Sequence, residues 1–423
     1  MRLLFLTPQL PYPPQQGTAL RNWGLISHLA DRHEIWLLSF DEAPGSNPQT
    51  RVHPTLQVAC KTIATVPVPR RTTADRLRTL ATSSLPDMAW RLWSPAFDKQ
   101  LRDWLNSERF DIVQVEGIEL ARYMRASNQH PHHYHLVFDD HNCEYLLQQR
   151  THEMDLRRGR MHGAAYSFVQ WQRLHVFERA ALKAADATLC VSRQDQALLT
   201  QLEPQAQVHT IFNGIDLERY ASDTTMSATP WSLGPAAIRQ VRQVGRVVFT
   251  GKMDFRPNIE AMLWFQREVW PHVKREHASA QWLIVGQKPS PRLDVLRNDP
   301  DITITGQVDD VRPYIAQADV YIAPLLAGGG TRFKILEAMA MRRAIVSTTL
   351  GCEGFDIHTG RELSVADTGI DFARAVNALL SSETGRRDMG ERAHAFVAAT
   401  YDWNAIVPEL EAIYRSLGAG HLS

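Results

Sequence analysis

Cysteine is scarce in this chain: four residues among 423, at Cys60, Cys143, Cys190 and Cys352, no two of them close enough in sequence to form a zinc-binding pair. Three lie in or beside apolar strand-like runs, and all four read as reduced core residues. Excess charge is missing too. Lysine plus arginine equals aspartate plus glutamate at 46 each, which removes the broad positive field of a protein that coats nucleic acid, so any anion site must be local. No apolar stretch approaches the roughly 18 residues of a membrane-spanning helix, and the first apolar run, residues 3–6, is halted by Thr7 and Pro8. With neither a span nor a secretion signal, the expected compartment is the cytoplasm, with attachment to the inner face of a membrane left open. No internal repeat and no low-complexity tract interrupts the chain.

What is present is alternation. Hydrophobic residues make up 44% and charged residues 22%, the balance of a globular protein, and 423 residues suit two domains of roughly 200 each. Short apolar runs recur, each followed by a turn and a longer helical pattern, which predicts parallel strands covered by helices. Strands are expected at 3–7, 34–39, 62–66, 111–115, 135–139, 187–191 and 208–211, and again at 246–250, 282–285, 302–305, 320–323, 344–347 and 362–365. The fold class is therefore α/β, with two Rossmann-like, doubly wound parallel-sheet domains facing a cleft. A stretch rich in Ser, Thr, Ala and Gly places the linker at 222–245, between an amino-terminal domain at 1–221 and a carboxyl-terminal one at 246–400. A last helical pattern occupies 401–423.

Four segments carry candidate chemistry. Pro11, Tyr12, Pro13 and Pro14 lead to Gly17 just after the first strand and before a helix, where glycine admits a ligand to a positive helix terminus, or where prolines merely stiffen a turn. Asp139, Asp140, His141 and Asn142 end an apolar strand, and the carboxyl ends of parallel strands are where ligands bind, which singles out His141. In the third segment a strand runs through Gly328, Gly329, Gly330, Thr331 and Arg332 into a helix bearing Lys334 and Glu337. Free amides at that helix start make a phosphate site. Arg332 and Lys334 stand where the helix dipole disfavours cations by about 0.3–1 kcal/mol each, a penalty that a bound anion would reverse. Glu337, one turn on among apolar neighbours, needs donors, which ribose hydroxyls or an ion pair with Lys334 would supply. Last, Gly251, Lys252 and Arg256 follow the first strand of the second half and are placed to meet the same anion, unless they are ordinary loop cations.

Three other signals carry less. Gly245 to Lys252 lacks the glycine spacing of a phosphate loop, and Met253 stands where a hydroxyl residue is needed, which rules out that kind of ATPase. Asp299 and Asp301 have the spacing of a metal-binding pair but precede a strand, so they read as a turn. Residues 70–104 mix Arg70, Arg71, Arg76, Arg78, Arg91 and Arg102 with Trp90, Trp93, Phe97 and Trp104, which suits either contact with anionic lipid or inward packing of the aromatics.

Taken in order, these segments resemble the retaining glycosyltransferases of family four, of the GT-B fold. The Pro-rich segment ending at Gly17 looks like that family's amino-terminal glycine loop, and Asn213, Gly214, Ile215 and Asp216 look like its segment before the linker. Gly251 and Lys252 look like its Gly-Arg phosphate element; the run Glu337, Ala338, Met339 and Ala340 matches best. Tyr401, Asp402 and Trp403 are similar to the start of a terminal helix that crosses back onto the first domain. The family has two glutamates eight positions apart, and here Gly329 takes the place of the first. The resemblance implies a hexosyltransferase that needs no metal and no other cofactor. Its partners would be a nucleotide-diphosphate sugar and a glycan or lipid-linked acceptor, as in polysaccharide or cell-envelope glycan synthesis. His141, Lys252 and Arg256 would be catalytic, and Gly17, Gly251, Gly329, Gly330, Thr331, Arg332, Lys334 and Glu337 would bind the nucleotide sugar. A sugar-nucleotide epimerase of the same architecture and a degenerate nucleotide-sugar-binding protein are the alternative readings.

Overall fold

Apolar strands buried on both faces need helices on both sides, and the chain satisfies that requirement twice. The computed structural model describes residues 1–14, 17–41, 52–124, 134–157, 159–221, 245–327 and 333–418. They fall into two units, one of Met1–Gly214 with Ile406–Ser423 and the other of Ile215–Ala405.

In the first unit seven parallel strands run β1 (Arg2–Thr7), β2 (Glu34–Asp41), β3 (Thr62–Pro67), β4 (Ile112–Glu116), β5 (His135–Asp140), β6 (Ala187–Cys190) and β7 (Val208–Thr210), in the order β3-β2-β1-β4-β5-β6-β7. Period-two alternation divides their faces. Val113 and Val115 of β4 and Leu136 and Phe138 of β5 enter one hydrophobic cluster. On the opposite face Gln114 and Glu116 lie in line, and register sets Asp139 beside Glu116. The terminal helix Trp403–Ser416 contributes to this unit from Ile406 on, with Tyr414 fully buried and Glu411 accepting hydrogen bonds from Arg32 Nε and His33 Nε2, both at 2.8 Å.

The second unit has six parallel strands, β8 (Arg246–Thr250), β9 (Gln281–Val285), β10 (Ile302–Ile304), β11 (Val320–Ala323), β12 (Ala344–Ser347) and β13 (Ser364–Val365), in the order β10-β9-β8-β11-β12-β13. Phe265, Trp282 and Phe372 are fully buried at its centre. Asp299 accepts from Trp270 Nε1 at 2.9 Å and Asp301 pairs with Lys274 at 2.6 Å, so this aspartate pair ties a turn to a helix.

Composition marks where patterning stops, which is not where the chain changes unit. The expected boundary at 221 falls seven residues after Gly214, the last residue grouped with the first unit. Ile215 donates its N–H to the Tyr401 carbonyl at 2.7 Å, and Tyr220 reaches Glu337 at 3.0 Å, so this short segment packs with the second unit before the linker begins.

The basic and aromatic stretch turns its aromatics inward. Phe97 stacks on Phe40 with centroids 4.5 Å apart, Trp104 meets Trp36 edge to face at 5.1 Å, and the guanidinium of Arg122 lies 4.0 Å and 3.9 Å from the rings of Trp90 and Trp93. The helix Thr73–Thr82 between them buries no residue and is held at its start by a reciprocal Thr72 and Asp75 cap. No described helix is long and apolar enough to cross a membrane. All four cysteines are buried and unpaired.

Candidate active site

Doubly wound sheets bind ligands at the carboxyl ends of their strands where the strand order reverses, and these orders reverse between β1 and β4 in the first unit and between β8 and β11 in the second. Beside the first reversal, Glu116 and Asp139 are both fully buried, and buried carboxylates require donors. Arg21, on the helix Gly17–Leu29 and itself buried, grips Asp139 with Nε to Oδ2 at 2.8 Å and Nη2 to Oδ1 at 3.1 Å. Its third nitrogen donates to the carbonyls of Ile211 (2.9 Å) and Phe212 (3.2 Å) and to Asn213 Oδ1 (3.1 Å).

Glu116 is held from three sides. Gln114 Nε2 donates to it at 2.6 Å, His141 Nε2 stands at 2.8 Å, and the Asn22 amide, with its nitrogen turned inward, donates at 2.8 Å. Gln114 in turn accepts the hydroxyl of Tyr414, so a continuous polar chain runs from the terminal helix to His141. With Nε2 committed, His141 leaves Nδ1 beside Gly117. A side-chain carbon at Gly117 would stand 3.8 Å from that nitrogen and 3.1 Å from Glu119 Oε2, and the glycine has φ +87°, which favours the residue without one. Burial pulls the His141 pKa down, but the hydrogen bond to Glu116 and the negative charges of Asp139 and Glu116 outweigh it and leave the imidazole easier to protonate than usual. Burial first, and then Asp139, raises the pKa of Glu116. Ligand atoms of Glu116, Asp139 and His141 come within 4.8 Å of one another, a spacing that fits a cation. Arg21 and Gln114 already fill those oxygens, so an ion would have to displace a buried guanidinium.

On the other face of β5, Asp140 points into the core, where neither of its oxygens meets an N–H or hydroxyl donor. Burial, followed by the charge of Glu178, raises its pKa well above the usual carboxylate range. That environment favours the protonated carboxyl, which can share its proton with the neighbouring Glu178. Glu178 receives the Glu144 and Tyr145 N–H groups at 2.9 and 2.8 Å, which caps the helix Glu144–Arg157 that follows His141. Burial raises the pKa of Glu178 to about 7, and burial together with Glu119 and Glu178 raises that of Glu144 to about 8.

The second unit is built differently. Gly251 ends β8, and a side-chain carbon there would lie 2.8 Å from Lys334 Nζ and 2.9 Å from Asn258 Nδ2, so only glycine lets the ammonium approach the backbone. Lys334, in the first turn of the helix Phe333–Ala340, donates to Asn258 Oδ1 at 3.0 Å and lies 4.1 Å from the Phe249 ring. Glu337 lies one turn further along this helix. Its Oε1 accepts the Tyr220 hydroxyl at 3.0 Å; burial raises its pKa against the opposing effects of that bond and of Lys334. Lys252 is exposed and its carbonyl accepts from Asn258 Nδ2 at 2.8 Å. Arg256 is half-exposed and turned toward Glu260 at 3.7 Å, an oxygen that Arg292 holds more closely at 3.0 Å. Gly17 opens its helix beside the first reversal. Gly329, Gly330, Thr331 and Arg332 lie outside the described residues.

Residues 16–219 match the family described as Glycosyltransferase Family 4, and residues 245–382 match the Glycosyl transferases group 1 domain. Both matched segments are thus glycosyltransferase domains. A 44.6 kDa protein of the cps region of Klebsiella pneumoniae is 26% identical over 164 residues, 37% of this chain and 42% of its own length. A phosphatidyl-myo-inositol mannosyltransferase of Propionibacterium freudenreichii is 25% identical over 259 residues, 58% of this chain and 62% of its own. The chain thus spans only part of these relatives. Anabaena Alr3699/HepE, solved in complex with UDP, superposes with a TM-score of 0.66 at 14% identity over 98% of this chain and 100% of that one, a likeness of the GT-B fold.

In this chain the residues that sequence reasoning missed are the ones that hold the others. Arg21, Asn22, Gln114, Glu116, Asn258, Tyr220 and Tyr414 support His141, Asp139, Lys334 and Glu337. One signal was available: Gln114 and Glu116 are two polar residues at alternate positions inside an otherwise apolar strand.

Proposed function

We propose that the protein is a retaining glycosyltransferase that moves a sugar from a nucleotide diphosphate to a glycan or lipid-linked acceptor in cell-envelope glycan synthesis. The observation that carries this reading is the grouping of Gly251, Lys334 and the half-buried Glu337 at the strand reversal of the second unit. Glu337 has one oxygen on Tyr220, and its carboxylate suits ribose hydroxyls. Lys334, with Lys252 and Arg256, suits the diphosphate, and Arg256 is available because exposed ion pairs such as that with Glu260 are worth only about 0–1 kcal/mol. From the sequence alone, Gly329, Gly330, Thr331 and Arg332 join this proposed set.

The first unit supplies Gly17 and His141 to the sugar end. Glu116 fixes the imidazole, and its raised pKa favours a donor that hydrogen-bonds sugar hydroxyls. The bond from the anomeric carbon to the phosphate oxygen breaks while the acceptor oxygen bonds on the same face, and the acceptor's proton passes to the departing phosphate. Fixed cations and helix amides stabilise the charge that develops there, so no metal is required. The mannosyltransferase relative and the UDP complex of the structural neighbour support a nucleotide sugar and a membrane-associated acceptor.

The test is incubation with UDP-, GDP- and ADP-sugars, with and without lipid-linked acceptors, followed by mass spectrometry. A glycosylated acceptor with an unchanged anomeric configuration is expected. Release of an epimer without acceptor, or binding with no turnover of any donor, would contradict the proposal.

A further inference from the structure

Three arginines of the basic and aromatic stretch, Arg71, Arg76 and Arg91, line a cavity. It measures about 620 Å³, within the usual range for ligand sites, and lies wholly in the first unit. Pro8 and Gln9, just past β1, and Val68 and Pro69, just past β3, place it at the ligand-binding edge of the sheet. Arg71, Arg76 and Arg91 face two carboxylates, Asp87 and Glu119, which leaves one positive charge in excess.

The three guanidinium groups are not equally committed. Arg71 is fixed, with Nη1 on Asp87 Oδ1 and Nη2 on Thr79 Oγ1, both at 2.9 Å. Arg91 only approaches Glu119, at 3.5 Å and 68% exposed, and Arg76 is exposed with no ion pair among the described residues. Exposed pairs contribute little, so an anion can recruit Arg76 and Arg91 at small cost while Arg71 anchors the wall. Glu119 connects the cavity to the chemistry, because its Oε2 and His141 Nδ1 border the same point above Gly117. Gln9, Thr18 and Glu119 offer the amide, hydroxyl and carboxylate that sugar hydroxyls require.

We propose that this cavity takes the acceptor, and that the acceptor carries a phosphate ester bound by Arg71, Arg76 and Arg91, with its sugar directed toward Glu119 and His141. This rests on the glycosyltransferase reading and adds to it the acceptor's chemical class. The phosphate could belong to a soluble sugar phosphate or to a lipid-linked head group, and the experiment separates the two. The soluble arm measures binding of the 1-phosphates of glucose, galactose, mannose and N-acetylglucosamine against the free sugars by calorimetry, with UDP and GDP as controls for the second unit. The lipid arm measures binding to phosphatidylcholine vesicles with and without undecaprenyl phosphate.

For the wild-type chain, phosphate is expected to tighten binding at least tenfold in one arm, about 1.4 kcal/mol. R76Q/R91Q should abolish that gain and leave nucleoside diphosphate affinity and melting temperature unchanged. A gain in the soluble arm assigns the phosphate ester alone, and a gain confined to the vesicles assigns the lipid. No gain in either arm, or a gain that survives in R76Q/R91Q, overturns the acceptor assignment and leaves the donor reading standing. Failure of the wild-type chain to bind any nucleotide would instead count against the glycosyltransferase reading.

Discussion

The two units share the strand order of a doubly wound sheet yet prepare their edges in opposite ways. In the first, carboxylates are buried and already paired: Asp139 with Arg21, Glu116 with His141 and Gln114, Asp140 with Glu178. In the second, a glycine and cations stand at the edge with one half-buried carboxylate, Glu337. The first edge is held together by its own ion pairs, whereas on the proposed reading the second offers its cations to an anion. Rigid placement of one histidine needs the former; capture of a diphosphate needs the latter.

Arg21→Ala should break the comparison most severely. Removing one partner of a buried pair leaves Asp139 charged and alone, at a cost of about 3–5 kcal/mol, read as a loss of unfolding free energy in urea. Glu337→Ala should act on binding instead. It removes charged hydrogen bonds worth about 1.5–3 kcal/mol to the nucleoside diphosphate, measured by calorimetry, with no comparable loss of fold.

The smallest effect sharpens the contrast by pH. Glu144 and Glu178 hold protons in the folded state with pKa values of about 8 and about 7, above their ordinary 4.5, so the stabilisation is complete below that value and is lost as pH rises through 7 and 8. His141, also raised, adds in the same direction, while His33 and His209, both lowered, act against it. Glu144→Gln should therefore reduce the fall in melting temperature between pH 6 and pH 8.5, by about 2–4 °C for each kcal/mol removed. An unchanged fall would place that titration elsewhere.

Every strand was legible in the sequence, because fully buried parallel strands are short apolar runs whose ends are marked by turn residues. The places of His141 and Gly251 just past strands, and of Glu337 one turn into a helix, were legible for the same reason. Their supports were not. Arg21 reads as an ordinary helix cation until its partner 118 residues away is known, and Tyr414 reaches Gln114 across 300 residues. Such pairings arise from topology, and local periodicity carries no record of them. Residues 222–244 of the expected linker lie outside the described residues, while residues 215–221 just before it owe their unit to contacts with Tyr401 and Glu337, not to their composition.

The central claim is that the first unit serves the sugar and the second the nucleotide. The most direct measurement compares turnover with nucleoside diphosphate affinity in His141→Ala. Turnover should fall by about 10²–10³-fold, the usual cost of removing one positioned hydrogen-bond donor from a transition state, while the dissociation constant for the nucleotide stays within twofold of wild type. Sugar transfer at the wild-type rate, or a loss of nucleotide affinity equal to the loss of turnover, would contradict the division.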